Sequence, residues 1–342
     1  MASPTSGSVV ATPPASALVH LEAGPQGGPE ENAGEDAPAL VGNEEPLPTP
    51  TTTAALSPVV ARVAPVRIAT WNVNSIRSRV DRVEAWLQRS DVDVLAIQET
   101  KAKEEQFPFD RFRDLGYEVA HHGLNQWNGV AILSRVGLDD VAIGFDGDPG
   151  FGDPVAPEAR SIGATCGGVR VWSLYVPNGR TLDDPHMAYK LQWLARLRDR
   201  AVEWAADGTP VALCGDWNVA PQDEDVWSME YFADKTHVSP PERAAFNAFL
   251  ESGFVDVVRP YAPGPGTYTY WDYQQLAFPK RRGMRIDFVL GSASFAERVS
   301  GAAIDREERK GKGASDHAPV IVGLDGDDGA AVDKPIDGSP AR

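Results

Sequence analysis

Seven short apolar runs are spread through the middle of this chain, and most of them end in a cluster of polar side chains. They read as strands over 66–73, 92–98, 129–134, 169–176, 210–214, 286–290 and 318–322, since brief apolar or β-branched stretches between turn-formers match buried strands. Between some of them the period lengthens to that of a helix. From Pro185 to Ala206, the residues Met187, Leu191, Leu194, Leu197, Ala201, Val202 and Ala205 form one stripe, with Asp184 as a cap and Gly208 as a stop. Ser239 and Glu242 have capping-box spacing ahead of Phe246, Phe249 and Leu250, and Gly253 ends that segment. Val80, Val83 and Leu87 mark a shorter amphipathic helix. Continuous apolar strands with helices between them predict an α/β fold whose sheets are covered on at least one face.

The longest apolar runs, such as Val211 to Cys214, fall far short of the roughly 18 residues that cross a bilayer, which excludes a transmembrane helix. With only Cys166 and Cys214, neither a disulfide scaffold nor a cysteine zinc site is available, and a reducing, cytoplasmic compartment is expected. The net charge of −17 argues at first against a polyanionic partner. Much of it, however, sits on two arms. Residues 1–65 are rich in Pro, Ala, Gly, Ser and Thr and carry seven acids against the single base Arg62, with no signal-peptide or transit-peptide pattern. Residues 325–342 carry five acids against Lys334 and Arg342. Neither arm can bury enough apolar surface to offset the entropy of ordering, so both are predicted disordered, leaving 66–324 as the folded domain.

The polar residues at the strand ends carry the chemistry. Thr70-Trp71-Asn72-Val73-Asn74 closes the first strand and Gln98-Glu99-Thr100-Lys101 the second. Tyr175-Val176-Pro177-Asn178-Gly179 and Gly215-Asp216-Trp217-Asn218 close two more, while Arg285-Ile286-Asp287 and Ser315-Asp316-His317 introduce the last two. Taken singly, each has an ordinary role: an Asx turn at Asp216, a surface pair at Glu99 and Lys101, a structural histidine. Together, strand ends on one rim can converge into one cleft. Carboxylates such as Glu99 and Asp316 with an amide oxygen from Asn72 form a hard oxygen set suited to Mg²⁺ or Mn²⁺. Clustered carboxylates repel one another and call for a cation. A divalent ion beside a histidine, an asparagine and a free aspartate suits phosphoryl chemistry. There is no G-x-S-x-G, no P-loop and no dinucleotide glycine motif to support a competing chemistry.

The ordered set of these motifs, with Asn128-Gly129-Val130-Ala131-Ile132 between them, resembles the exonuclease/endonuclease/phosphatase superfamily and, within it, the exodeoxyribonuclease III and abasic-site endonuclease family. The resemblance spans 66–323. It implies a four-layered α/β sandwich with two central mixed β-sheets flanked by helices and a site where the sheet ends meet. It implies a Mg²⁺ site, with Mn²⁺ as substitute, drawn from Asn72, Glu99, Asp216, Asn218, Asp316 and His317, with Glu99 as principal ligand. Asp216 would take a proton from the attacking water, Asn218 would orient that water or the transition-state oxygens, and Tyr175 would donate to a phosphate oxygen. His317 would contact the scissile phosphate with its imidazole held by Asp287. Asn178 would grip a DNA phosphate. The chain departs from some relatives at Asn74, where they carry an aspartate ligand, and at Met284, where they carry an aromatic wall.

An acidic protein can hold DNA only through local cations. Lys280, Arg281, Arg282 and Arg285 lead into Asp287, and Arg306, Arg309, Lys310 and Lys312 lead into Asp316 and His317. Phosphate contact is expected from part of each run, including Arg282 and Arg285, with Asn74 near the substrate and Trp271 as a stacking or wedge surface for a missing base. The resulting expectation is a monomeric, Mg²⁺-dependent DNA repair nuclease. It would cut double-stranded DNA 5′ to abasic sites and clear its 3′ ends, with no obligate protein partner and no membrane association, and would sit in the cytoplasm beside the nucleoid. A phosphatase or RNA 3′-nuclease of the same superfamily and a non-catalytic DNA-binding protein are the alternatives.

Overall fold

Alternation along the strands decides how this molecule is layered. A computed structural model of the protein describes residues 65–325; apart from Pro65 and Asp325, the arms expected to be disordered lie outside the described residues. In chain order the first six strands are β1 (Val66–Asn72), β2 (Val94–Gln98), β3 (Glu118–His122), β4 (Val130–Ser134), β5 (Asp139–Ile143) and β6 (Ser161–Cys166). The second six are β7 (Val169–Tyr175), β8 (Val211–Asp216), β9 (Val255–Asp256), β10 (Asp287–Gly291), β11 (Val299–Ile304) and β12 (Val320–Leu324). The α-helices are α1 (Ile76–Ser90), α2 (Phe109–Arg113), α3 (Pro185–Ala205), α4 (Met229–Phe232), α5 (Pro240–Glu251) and α6 (Ala293–Ala296).

Two six-stranded sheets result, ordered β11-β12-β1-β2-β4-β3 and β5-β6-β7-β8-β10-β9. Each is mixed for the same reason. The crossovers β1-α1-β2 and β7-α3-β8 make one parallel pair per sheet, and the other pairings are antiparallel. Side chains on one face of each sheet interdigitate in a central core that includes Ile68, Val94, Ala96, Val130 and Ile132 from one and Val171, Ala212, Cys214 and Val289 from the other. The opposite faces are covered by helices. Trp71, Leu95 and Ile97 pack with Val83, Trp86 and Leu87 of α1, while Trp172, Leu213 and Phe288 pack with Trp193, Leu194, Phe246 and Phe249 of α3 and α5. This is the four-layered α/β/β/α sandwich.

The helix punctuation reads as expected. Asp184 accepts from His186 N at 2.7 Å to start α3, and Ser239 N donates to Glu242 Oε2 at 3.2 Å to start α5. The helix marked by Val80 and Leu87 is longer than its short stripe indicated. Strands β3, β5, β6, β9 and β11 were not anticipated: β5 and β9 are short or exposed edges, and β6 is interrupted by Gly163. Such segments carry little of the apolar contrast that marks a central strand.

Candidate active site

With a period of two, the last inward-facing residues of β1, β2 and β8 stand at one rim of the sandwich. On β1 the inward set is Ile68, Thr70 and Asn72; on β2 it is Val94, Ala96 and Gln98; on β8 it is Ala212, Cys214 and Asp216. Strand pairing sets Tyr175 and Asp287 on either side of Asp216. A polar ladder ties the two sheets just beneath: Thr70 Oγ1 donates to Gln98 Oε1 at 3.2 Å, and Gln98 Nε2 to Ser173 Oγ at 3.0 Å. Gly215 is required beside this rim, because a Cβ there would lie 2.0 Å from the Leu174 carbonyl oxygen.

The turns that follow are strained in a pattern typical of functional sites. Asn74, Ser75, Glu99, Lys101 and Asn218 all have positive φ, a region that side-chain-bearing residues seldom adopt. These turns deliver Glu99 from one sheet and Asp216 from the other. Asn72 joins them, its Nδ2 donating to Glu99 Oε1 at 2.8 Å and to Asp216 Oδ2 at 2.9 Å. Lys101 Nζ lies 2.7 Å from Glu99 Oε2 and 2.5 Å from Asn74 Oδ1, and Asn74 Nδ2 donates to Asp316 at 3.1 Å. His317 Nδ1 donates to Asp287 Oδ2 at 2.8 Å, and its Nε2 stands 3.8 Å from Asp216 Oδ2.

Charge in this pocket is distributed unevenly. Burial raises Asp216 to about 7, with His317 pulling the other way and the charges of Asp287 and Glu99 adding to the rise. Burial opposes charge on Glu99 too, yet Lys101 and Asn72 outweigh it and hold Glu99 below the usual carboxylate value. For His317, burial acts to lower the pKa, and the carboxylates Asp287 and Asp216 reverse this to about 10. Tyr175 is pushed well above its ordinary value by burial and by the neighbouring Glu99, so it remains a neutral donor.

Ligand atoms of Glu99, Asp216 and His317 lie within 4.8 Å of one another. The donor chemistry fits a hard divalent ion at Glu99 and Asp216: two carboxylates share one amide bridge, and the charge of Glu99 adds to the rise that burial imposes on Asp216. The other members of the expected ligand set engage protein partners. His317 bonds Asp287 through Nδ1, and the carboxylates Asp287 and Asp216 favour its protonated form, while Nε2 is the ring atom that faces the cluster. Asn72 presents its nitrogen to the carboxylates, while its oxygen accepts from Asn74 N at 3.0 Å. Asn218 Oδ1 is filled by Asn178 Nδ2 at 3.0 Å and His237 Nε2 at 3.1 Å. Asp316 lies outside the cluster, held by Asn74.

Several expected substrate contacts also change. Arg285 is fully buried and makes a bidentate pair with Asp256 at 2.7 and 2.8 Å, so it cannot reach a DNA phosphate. Trp271 is 1% exposed and packed against Phe278 and Tyr268, which removes it as a wedge. Arg309 is turned inward to the Trp271 carbonyl at 2.9 Å. Asn74 and Asn178 spend their amide groups on protein partners, Asn178 bonding Asn218 and accepting from Arg180 N. Arg282 stays exposed, its guanidinium 4.8 Å from the Trp227 ring. It lines a cavity of about 210 Å³ with Trp227, Tyr231, Tyr270 and Met284. Tyr270 connects that cavity to the catalytic centre, its ring 4.9 Å from His317.

Three residues near the site had no place in the motif reading: Lys190, His237 and Glu242. Glu242 was legible only as a helix cap, and Lys190 left a trace as a lysine three residues after Met187 and four before Leu194, inside an otherwise apolar helical stripe.

A profile described as the Endonuclease/Exonuclease/phosphatase family matches residues 69–317, from β1 to the site histidine. The chain belongs to the endonuclease/exonuclease/phosphatase family. An exodeoxyribonuclease of Bacillus subtilis (strain 168) is 31% identical over 263 residues, spanning 75% of this chain and 98% of that relative. Among solved structures, a 3′-5′ exonuclease (NExo) from Neisseria meningitidis has a TM-score of 0.72 at 36% identity, covering 76% of this chain and 100% of that one. An AP endonuclease from Archaeoglobus fulgidus has a TM-score of 0.71 at 37% identity, with the same shares covered. In this family member the matched span contains Glu99, Asp216, Asp287 and His317 together. Among the described residues no helix is long and apolar enough to cross a membrane.

Proposed function

We propose that this family member is a Mg²⁺-dependent DNA repair nuclease of the exodeoxyribonuclease III type. It hydrolyses phosphodiesters 5′ to abasic sites and removes nucleotides or blocking groups from 3′ ends, acting as a cytoplasmic monomer, with Mn²⁺ able to replace Mg²⁺. The observation that carries the reading is the meeting of Glu99, Asp216 and His317 within 4.8 Å, with Asp287 behind the imidazole. Its relatives' printed names, an exodeoxyribonuclease and an AP endonuclease, support DNA as the substrate.

A divalent cation held by Glu99 and Asp216 would neutralise phosphate charge and favour ionisation of water. The protein's own groups do the rest. Protonated His317 presents Nε2–H to a phosphate oxygen, and Asp287 fixes the ring by occupying Nδ1. Tyr175, kept neutral, supplies a hydroxyl donor on the same rim. Asn218 gives one amide hydrogen to Val176 O at 3.0 Å and has a second one for an oxygen of the reacting phosphodiester. Asp216, in its ionised form, can accept a proton from the attacking water. Arg282, which lines the adjoining cavity, and its exposed neighbours Lys280 and Arg281 can meet the DNA backbone.

One gel tests the reading: an abasic-site duplex, a recessed 3′ end, a 3′-phosphate end and an RNA strand, each incubated with Mg²⁺ or EDTA. Mg²⁺-dependent incision of the abasic duplex and shortening of the 3′ end are expected. Turnover of RNA or of the 3′-phosphate alone would replace this reading with the RNA-nuclease or phosphatase one.

A further inference from the structure

Lys190 is an expensive residue. It lies on α3 with no exposure, in a stripe where a leucine would pack without desolvating a charge. Its three ammonium hydrogens find three acceptors: the Asn218 carbonyl at 2.6 Å, the Asn178 carbonyl at 3.2 Å and Glu242 Oε1. The first two belong to loops that leave neighbouring strands, β7 and β8. One cation therefore clamps both asparagine loops at their backbones.

Glu242 does more than its capping box requires. Oε2 accepts from Ser239 N at 3.2 Å and Ser239 Oγ at 2.5 Å, which completes the start of α5. Oε1 faces the opposite way and accepts from His237 N at 2.9 Å besides Lys190, with Thr236 Oγ1 at 2.7 Å. Thr236 Oγ1 also lies 2.9 Å from the Asn178 carbonyl, and His237 Nε2 reaches Asn218 Oδ1. Through these contacts the carboxylate orders the segment that meets the Asn218 side chain. Asn218 itself has φ 51°, a strained conformation that persists only when its surroundings hold it there.

We propose that Lys190 and Glu242 are positioning residues for the phosphodiesterase reaction, a buried pair that pins the Asn178 and Asn218 loops so that the Asn218 amide is held for the reacting phosphate. The proposal rests on the nuclease reading given above. A pair serving only to join α3 to α5 would have no need of contacts to two loop carbonyls.

The test uses the full chain carrying Lys190→Met with Glu242→Gln, which removes both charges together and leaves neither ion buried alone. On an abasic duplex at saturating Mg²⁺, kcat is expected to fall on the order of 100-fold, the effect of about 1 Å of misplacement. KM should stay within about threefold, as for an interaction felt in the transition state. On an Asn218→Ala background the same two changes should cost less than about threefold, because residues acting through one group are non-additive. Equal losses on both backgrounds, or an unchanged kcat, would overturn the proposal. Thr236→Val, which removes an uncharged link from Glu242 to the Asn178 carbonyl and strands no ion, is the second variant, should the double one melt below the assay temperature; its loss must show the same dependence on Asn218. A readout free of turnover separates the two claims: side-chain amide exchange of Asn178 and Asn218 by NMR should accelerate in the variant. Unchanged protection sinks the clamp even in an active enzyme. Accelerated exchange in a protein that cuts no DNA upholds the clamp and sinks the nuclease reading alone.

Discussion

His317 Nδ1 and Asp287 Oδ2 are 2.8 Å apart, although the first introduces a strand of one sheet and the second opens a strand of the other. The bond therefore spans the two halves of the sandwich. It also sets which ring nitrogen faces the site and keeps the imidazole charged. Asp287→Asn is expected to lower kcat on the order of 10²- to 10⁴-fold with little change in melting, the usual range for a lost acid-base contribution. Steady-state kinetics and a thermal melt check this, and a collapse of the fold would show Asp287 to be structural.

Activity should follow a bell-shaped pH profile. The acid limb requires Asp216 to ionise and, at limiting cation, should lie near pH 7; the alkaline limb marks loss of the His317 proton near pH 10. Raising the cation concentration should move the acid limb lower, since a positive charge favours the carboxylate. The alkaline limb should move down in Asp287→Asn, where the carboxylate that raises His317 is gone. A limb near 10 that survives that substitution would assign it to another group.

Stability has the opposite sign at Asp216. A carboxyl at about 7 in the fold, against 3.8 as its ordinary value, stabilises the folded state fully below 3.8 and loses that contribution as pH rises through 7. At pH 8 in EDTA, Asp216→Asn should therefore raise the melting midpoint while abolishing turnover, by about 2–4 °C for each kcal/mol recovered in a domain of this size. For His317, raised from 6.5 to about 10, the stabilisation is complete below 6.5 and is lost as pH climbs through 10. Calorimetry at both pH values measures these trends. A lower midpoint in Asp216→Asn at pH 8 would contradict the buried-charge account.

Mg²⁺ or Mn²⁺ should raise the midpoint of the wild-type protein with concentration, by mass action on the folded state. Glu99→Gln should flatten that dependence while leaving the midpoint in EDTA close to that of the wild type. An equal cation response in both proteins would place the ion elsewhere.

Arg282 and Arg285, three positions apart, should behave in unlike ways. Arg282→Ala is expected to weaken DNA binding and to reduce the salt slope by about one unit, as for one lost phosphate contact. Arg285→Ala should leave that slope intact and lower stability, because it removes a fully buried guanidinium that pairs with half-buried Asp256 and packs on Phe288. Binding isotherms over a salt series, with denaturant melts, distinguish them.

Central strands and capped helices were legible because burial on both faces forces an unbroken apolar run and a helix end forces recognisable capping chemistry. The polar strand ends were legible as well, since Asn72, Glu99, Asp216, Asp287 and His317 interrupt runs where apolar residues would serve packing better. Edge strands such as β5 and β9 left no such contrast. The role of Arg285 was hidden because it continues the basic run from Lys280 to Arg282. It lies just before β10, where its guanidinium packs 4.4 Å over the Phe288 ring and reaches Asp256, contacts that only the assembled strands supply.

The amino-acid order alone determined that inward polar residues would stand at strand ends, because a period of two follows from covalent geometry. Which of those residues meet was decided only by the pairing of strands and the stacking of two sheets. The proton carried by His317, the nitrogen that Asn72 turns to its neighbours and the ammonium of Lys190 beneath two loops depend on contacts between distant parts of the chain, and local sequence spacing contains no term for them.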